Sequence, residues 1–201
     1  MVLLKEARVQ EDVDLVALCQ AGDATAFDEI VRRYKDRIYS LLYRFLGNHE
    51  DALDVAQEVF VRAYQGIGGF AGHAKVYTWL YAIAANLARN RLRDQGRKGR
   101  NRGASLEALQ QDAPGAIGAA PESSPRAVAE RRELEAALAA CLEALPEVYR
   151  LAFVLRTFEG LSYEEIAVSG NCPRGTVKSR LNQARHLLGE CLKSRGVLDA
   201  C

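Results

Sequence analysis

The chain has 201 residues, a formal net charge of +1, and 49% hydrophobic and 26% charged residues, an ordinary balance for one larger or two small folded domains and unlike that of disordered or collagenous chains. No apolar run approaches the roughly 18 residues needed to cross a bilayer, and the opening MVLLKEARVQ is too briefly apolar and too soon charged for a signal peptide. The expected place is the cytoplasm, with no direct membrane insertion.

In chain order, residues 12 to 21 read as a short helix stopping at Gly22, with Leu15, Leu18 and Cys19 inward. Phe27, Ile30, Val31, Tyr34, Ile38, Leu41, Leu42 and Phe45 then keep helical period up to Gly47. Asn48 suits the N-cap of a third helix, Asp51 to Tyr64, whose first turn carries Glu50 and Asp51 where the helix dipole favours them. Leu53, Ala56, Phe60 and Ala63 form its expected core stripe. Asp54, Gln57, Glu58 and Val61 form a neighbouring face, either solvated or turned to a protein partner.

Residues 66 to 76, GIGGFAGHAKV, carry too many glycines for regular structure and read as a loop. They match no phosphate-cradling fingerprint. The next helix, Tyr77 to Arg97, places Leu80, Ile83, Ala84 and Leu87 on one stripe and Trp79, Asn86, Asn90, Arg93 and Arg97 on another. Rings beside guanidinium groups suit unpaired bases and their phosphates; by itself such a helix reads first as an amphipathic helix with a solvated basic face, and the rest of the chain decides between the two.

Charge is unevenly spread. Arg89 to Arg102 holds seven basic residues against Asp94 alone, and Arg174 to Arg195 holds six against Glu190 alone. Two basic patches on a near-neutral chain point to a polyanion gripped twice. Between them, Gly96 to Pro125 turns rich in Pro, Gly, Ala and Ser, the composition of a linker, with at most a turn of helix at Leu106 to Gln110.

Beyond the linker, Arg126 to Leu145 reads as a helix with Val128, Leu134, Leu138, Cys141, Leu142 and Leu145 inward, and Pro146 opens another that buries Val148, Leu151, Ala152 and Leu155 and runs to Gly160. Ser162 and Glu165 form a capping box before Ile166 and Ala167, a break follows at Ser169-Gly170-Asn171, and Pro173 opens a last helix. The pattern is a helix-turn-helix. On the last helix Val177, Leu181, Ala184 and Leu188 face inward, while Arg174, Lys178, Asn182 and Arg185, flanked by Ser179 and Gln183, face out. Arg and Lys match guanine edges, and Asn and Gln adenine edges, in a major groove that admits a helix.

The cysteines at 19, 141, 172, 191 and 201 form no CxxC pair, and His49, His73 and His186 do not accompany them at ligand spacing. Neither a metal site nor a disulfide framework is expected; the thiols read as reduced, a redox role for Cys191 and Cys201 staying open. With no metal constellation and no nucleophile beside a base, no catalytic residue or cofactor is expected either.

Three motifs now carry a resemblance: DALDVAQEVFVRAY at 51 to 64, FAGHAKVYTWLYAIAANLARNRLRDQGRK at 70 to 98, and LSYEEIAVSGNCPRGTVKSRLNQAR at 161 to 185. From about Asp14 to Leu192 the chain resembles the extracytoplasmic-function sigma factors of bacterial RNA polymerase, most nearly the envelope-stress sigma-E type. The resemblance implies an all-α fold of two small helical domains, a region 2 bundle over 12–98 and a region 4 helix-turn-helix domain over 126–195, joined by a flexible linker over 99–125 that runs through the polymerase. It implies that Asp51, Asp54, Gln57, Glu58 and Val61 meet the clamp helices of core RNA polymerase. His73, Lys75, Trp79, Asn86, Arg89, Asn90, Arg93 and Arg97 would melt and hold the minus-10 element of promoter DNA, the loop from Gly72 to Val76 taking a flipped-out base. Arg174, Thr176, Lys178, Ser179, Arg180, Asn182, Gln183 and Arg185, in and beside the helix-turn-helix at 163–182, would read the minus-35 duplex. It further implies a stress response and an anti-sigma factor as partner. The alternative, an operator-binding regulator acting without polymerase, explains the last domain but leaves the residues before it without a task.

Overall fold

The computed structural model describes residues 2–99 and 125–197, with side chains for 11–96, 128 and 131–197. The suggested turn at Leu106 to Gln110, the side chain of Arg97, and Cys201 lie outside the described residues. Every regular element among the described residues is helical: α1 (Val2–Gln20), α2 (Ala24–Leu46), α3 (His49–Gly66), a 3-10 turn (Ile67–Gly69), α4 (Val76–Gly99), α5 (Pro125–Ala144), α6 (Glu147–Thr157), α7 (Tyr163–Gly170) and α8 (Arg174–Ser194).

Local chemistry accounts for the boundaries. Asp23 caps α2 by accepting from the Thr25 backbone N–H, and Gly47 ends the helix in the left-handed region, its N–H bonded to the Tyr43 carbonyl. Asn48 caps α3 by accepting from Asp51 N–H at 3.0 Å. Pro146 stands at the N-cap of α6 and Pro173 at that of α8. Ser162 and Glu165 close the expected capping box of α7. That helix continues through Ser169 and Gly170, where a break was expected, and the left-handed residue that turns the chain is Asn171 (φ 47°). A short polar side chain tolerates this conformation better than most.

Three inward stripes differ from those the sequence suggests. In α1, Leu18 is 49% exposed while Val16 and Asp12 are buried; the acid takes an inward position because Tyr34 Oη donates to it and Arg33 Nη1 lies at 3.2 Å. Burial nonetheless pushes the Asp12 carboxyl above its ordinary range, more than these partners pull it down. In α3 the buried stripe is Ala52, Val55, Ala56, Val59 and Ala63, with Phe60 half-buried and Leu53 43% exposed. Small residues let α3 lie close to its neighbours, and Leu53 is left beside Asp54 and Gln57. In α5, Leu134 is 48% exposed, in an open cleft formed by Glu133, Ala136 and Ala137 with residues 195–197 beyond α8, and Val128 is exposed too.

Two groups of helices, α1–α4 and α5–α8, pack into one another. Their apolar residues form one continuous core, from Phe27, Ile30, Ile38, Leu41, Leu80 and Tyr81 to Leu151, Leu155, Leu161, Ile166, Val177 and Leu181. α7 lies along α4, and α6 against α2. The buried Arg150 ties the junction: its Nη1 donates to the Phe45 carbonyl at 2.7 Å, and its Nη2 to the carbonyls of Glu143 and Leu145, at 3.0 Å for the latter. Three carbonyls satisfy part of a buried guanidinium, although burial still lowers its proton affinity.

The cysteines overturn one expectation. Cys141 and Cys191 are joined as a disulfide, 50 residues apart in sequence. Spacing along a chain reveals pairs within one turn or loop; this pair comes together only because α5 and α8 lie side by side.

Candidate nucleic-acid interface

Three exposed faces hold the residues singled out in the sequence. On α3, Asp54, Gln57, Glu58 and Val61 are all exposed, with Leu53 and Tyr64 nearby. The exposed apolar residues Leu53, Val61 and Tyr64 are interspersed with the polar and acidic ones. Asp51 stands apart from that set. Its carboxylate is held by Arg91 Nε at 2.6 Å and by Gln95, binding α3 to α4, while Arg91 Nη2 reaches Asp54 at 2.9 Å. Asp54 remains largely open to solvent, and Glu58 pairs with Arg62 one turn on.

The second face runs along α4. Asn86, Asn90 and Arg93 are exposed and Arg89 is half-buried. They are organised in pairs one turn apart: Arg89 Nη2 donates to Asn86 Oδ1 at 2.8 Å, and Arg93 Nη2 to Asn90 Oδ1 at 2.7 Å. Together with Leu92 they line an open pocket whose far wall is Glu147 of α6. Trp79 begins the same stripe but is half-buried, packed on Phe70 with ring centroids 4.9 Å apart. The end of α3 also lies against this ring: a Cβ on Gly66 would stand 3.4 Å from the indole, an ordinary van der Waals contact. His73 and Lys75 are exposed in the loop ahead of α4.

The third face is α8. Val177, Leu181, Ala184 and Leu188 are buried, and Arg174, Lys178, Ser179, Asn182, Gln183 and Arg185 are exposed. Arg185 Nη1 lies 3.4 Å from Asn182 Oδ1. Thr176 and Arg180 are half-buried. The Thr176 carbonyl accepts from Ser179 Oγ, and Arg180 Nη1 lies 3.4 Å from Cys172 Sγ, so this arginine folds back on the turn of the helix-turn-helix.

Acidic residues of the second group of helices, which the sequence did not mark as functional, meet Lys75, two tyrosines at the start of α4, Arg37 of α2, and Arg174 of α8. Glu165 Oε1 accepts from Tyr77 Oη at 2.5 Å and from Lys75 Nζ at 3.1 Å. Burial opposes its ionisation, but bonds from Tyr77, Lys75 and the Ser162 backbone outweigh it and hold the carboxyl at about 2. The Tyr77 hydroxyl moves the other way, up, through burial and the same carboxylate. Glu159 accepts from Tyr81 Oη and lies 3.4 Å from Arg37 Nη2. The neighbouring Glu164 pairs with Arg174 of α8 at 2.7 Å. The only sign in the sequence was the capping box, which accounts for one task of Glu165 and not for its second. Among the described residues no cluster of His, Cys, Asp and Glu could hold a metal ion, and no helix is long and apolar enough to cross a membrane.

Comparison with known proteins identifies the family. Residues 30–98 match the family model "Sigma-70 region 2", and residues 135–188 match "Sigma-70, region 4". The chain is 41% identical to the RNA polymerase sigma-H factor of Pseudomonas aeruginosa over 92% of its own length and 95% of that protein. It is 40% identical to the ECF RNA polymerase sigma-E factor of Escherichia coli over 88% of its length and 92% of that protein. Among solved structures, the sigma factor RpoE of Bartonella quintana, in complex with the anti-sigma factor NepR, shares the fold with a TM-score of 0.66 at 24% identity, covering 83% of this chain and 96% of that one. The chain belongs to the extracytoplasmic-function sigma factors of the sigma-70 family.

Proposed function

We propose that this chain is an initiation factor that binds core RNA polymerase and directs it to promoters, with no chemistry of its own. The observation that carries the reading is α8, which rests on a buried stripe and presents Arg174, Lys178, Ser179, Asn182, Gln183 and Arg185 together from a capped helix-turn-helix. These are the side chains that recognise base edges and phosphates in a major groove. In the same reading Asn86, Arg89, Asn90, Arg93 and Arg97 take the minus-10 strand, with His73, Lys75 and Trp79 at its flipped base. Extruding a base costs a few kcal/mol, offset when the base enters a fitted site. Asp54, Gln57, Glu58 and Val61 meet the polymerase clamp helices, whereas Asp51 contributes by holding α3 to α4.

The division of labour follows domains at 12–98 and 126–195 with the linker between. Elements named minus-10 and minus-35 lie about 25 base pairs apart, or roughly 85 Å at about 3.4 Å per base pair. Two helical groups in contact cannot reach both. The chain between Gly99 and Pro125, at most about 3.3–3.6 Å per residue, is long enough to span that distance. The junction is not wholly apolar: beside its core it holds the Tyr77–Glu165 and Tyr81–Glu159 bonds, a Ser169 hydroxyl donating to the Thr78 carbonyl at 3.2 Å, and a buried Thr78 hydroxyl with no partner, polar groups that water can satisfy once the two groups part. Core polymerase would stabilise the open form and raise the effective concentration of both DNA-binding groups on one promoter. A closed form suits capture by an anti-sigma factor, the partner of the related Bartonella quintana protein. A subunit of polymerase works beside the chromosome, in the cytoplasm.

The test is reconstitution with core polymerase. Specific transcripts from a promoter selected by the holoenzyme support the reading; duplex binding through α8 with no association with core would instead indicate an operator-binding regulator.

A further inference from the structure

The Cys141–Cys191 bond ties α5, which enters from the linker, to the C-terminal half of the helix that carries the duplex-facing residues. It sits in a small core of its own, where Cys141, Leu142, Leu145, Ala184 and Leu188 are buried together. Beyond it towards the end of α8 the seam opens into the cleft between Leu134 and Val197. Past the covalent link the half-buried Leu138 and Leu192 still pack against this core before the cleft opens. The two sulfurs differ in access: Cys141 is 1% exposed, and Cys191 is half-buried. The other described cysteines, Cys19 and Cys172, carry free thiols.

The compartment that holds a bacterial chromosome keeps thiols reduced, and disulfides that do form there are mostly transient, catalytic or redox-sensing. We infer that Cys141 and Cys191 form a reversible thiol–disulfide site that sets the stability of the helix-turn-helix group. Oxidised, it staples α5 to α8; reduced, it leaves the seam to its small core. With glutathione disulfide as oxidant, the more accessible Cys191 thiolate attacks one glutathione sulfur and expels a glutathione thiolate. The Cys141 thiol then loses its proton and attacks Cys191 Sγ of the mixed disulfide, expelling the second. Two protein thiols are oxidised by two electrons, one glutathione disulfide becomes two glutathiones, and the two thiol protons end on them. Reduction is the reverse, entered by attack at Cys191. The inference rests on the sigma reading for the compartment alone, and its test needs neither DNA nor polymerase, so the two fail separately.

The experiment uses the full chain equilibrated in glutathione buffers, alkylated and digested, with thermal unfolding followed in parallel by circular dichroism. The expected result is a Cys141–Cys191 linked peptide in oxidising buffer that disappears in millimolar reduced glutathione, with the melting of the helix-turn-helix group falling by about 10 °C as the bond opens. Cys191→Ser should melt like the reduced wild type and ignore the buffer, and a chain with Cys19, Cys172 and Cys201 changed to Ser should keep the full response. A linked peptide that never forms, a bond that survives millimolar glutathione, or a melting temperature indifferent to its opening would each overturn the proposal.

Discussion

The Tyr77 hydroxyl donates to Glu165 Oε1 at 2.5 Å, from the first turn of α4 to the first turn of α7. The same carboxyl group caps its own helix through Oε2, which accepts from Ser162 N–H at 2.8 Å. One side chain thus builds the helix-turn-helix and fastens it over the helix proposed to hold the minus-10 strand. Whatever draws the two groups of helices apart must break the Tyr77 bond while leaving the cap intact.

Tyr77→Phe keeps the ring and removes only the donor. It should loosen the closed packing by about 1–2 kcal/mol, the worth of a partly screened bond to a charged acceptor. Fluorescence energy transfer between labels on α2 and α8 checks this: transfer should fall in the variant. Unchanged transfer would show that the apolar core alone holds the groups together.

Acid should act on the same contact. Glu165 is held at about 2 in the closed packing, against an ordinary value of 4.5. A depressed carboxyl contributes stability that is complete above its unperturbed value and is lost as pH falls through the lowered one. The difference in thermal stability between wild type and Glu165→Gln should therefore be largest above about pH 4.5 and shrink steadily towards pH 2. A difference flat across that window would rule out the charged contact as a contributor.

On α3 the structure separates residues that the sequence grouped. Asp54→Ala with Glu58→Ala removes exposed charge and should weaken association with core polymerase about tenfold or more, with melting changed by no more than a degree or two. Asp51→Ala removes the acceptor of Arg91 and Gln95, and should lower stability by about 1–3 kcal/mol whether or not polymerase is present. Calorimetry of the free proteins beside a core-binding titration distinguishes these outcomes.

For α8, Arg174→Ala or Lys178→Ala should each cost about 1–3 kcal/mol in duplex binding. A base contact would show as relaxed preference at one position of the selected sequence; a phosphate contact would show as a uniform loss and a shallower salt dependence. Arg174 must leave Glu164 to reach DNA, so Glu164→Gln should modestly tighten binding by the holoenzyme.

The helices and their ends were readable because capping and periodicity are local: Asn48, Gly47, Ser162 with Glu165, and the α8 stripe of Val177, Leu181, Ala184 and Leu188 lie where the sequence places them. Reading failed where position depends on a partner element. Leu53 looks like a core residue until Ala52, Val55 and Val59 are seen to turn α3 by one position, and Leu134 until it is seen to line an open cleft with residues 195–197. Asp12 looks like surface until Tyr34 reaches it. The Cys141–Cys191 bond and the contacts of Glu159 and Glu165 with Tyr81, Tyr77 and Lys75 join residues 50 to 90 positions apart, and no repeat or spacing along the chain records which helices become neighbours.

One surface of this chain is proposed to hold polymerase and two others promoter DNA. Purified chain with core polymerase, challenged with a random promoter library and scored by sequencing the transcripts' upstream regions, tests it directly. The expected result is a pair of enriched elements near minus-10 and minus-35, the upstream one relaxed by Arg174→Ala and the downstream one by Asn86→Ala or Asn90→Ala. No enrichment over core polymerase alone, or enrichment indifferent to all three substitutions, would contradict it.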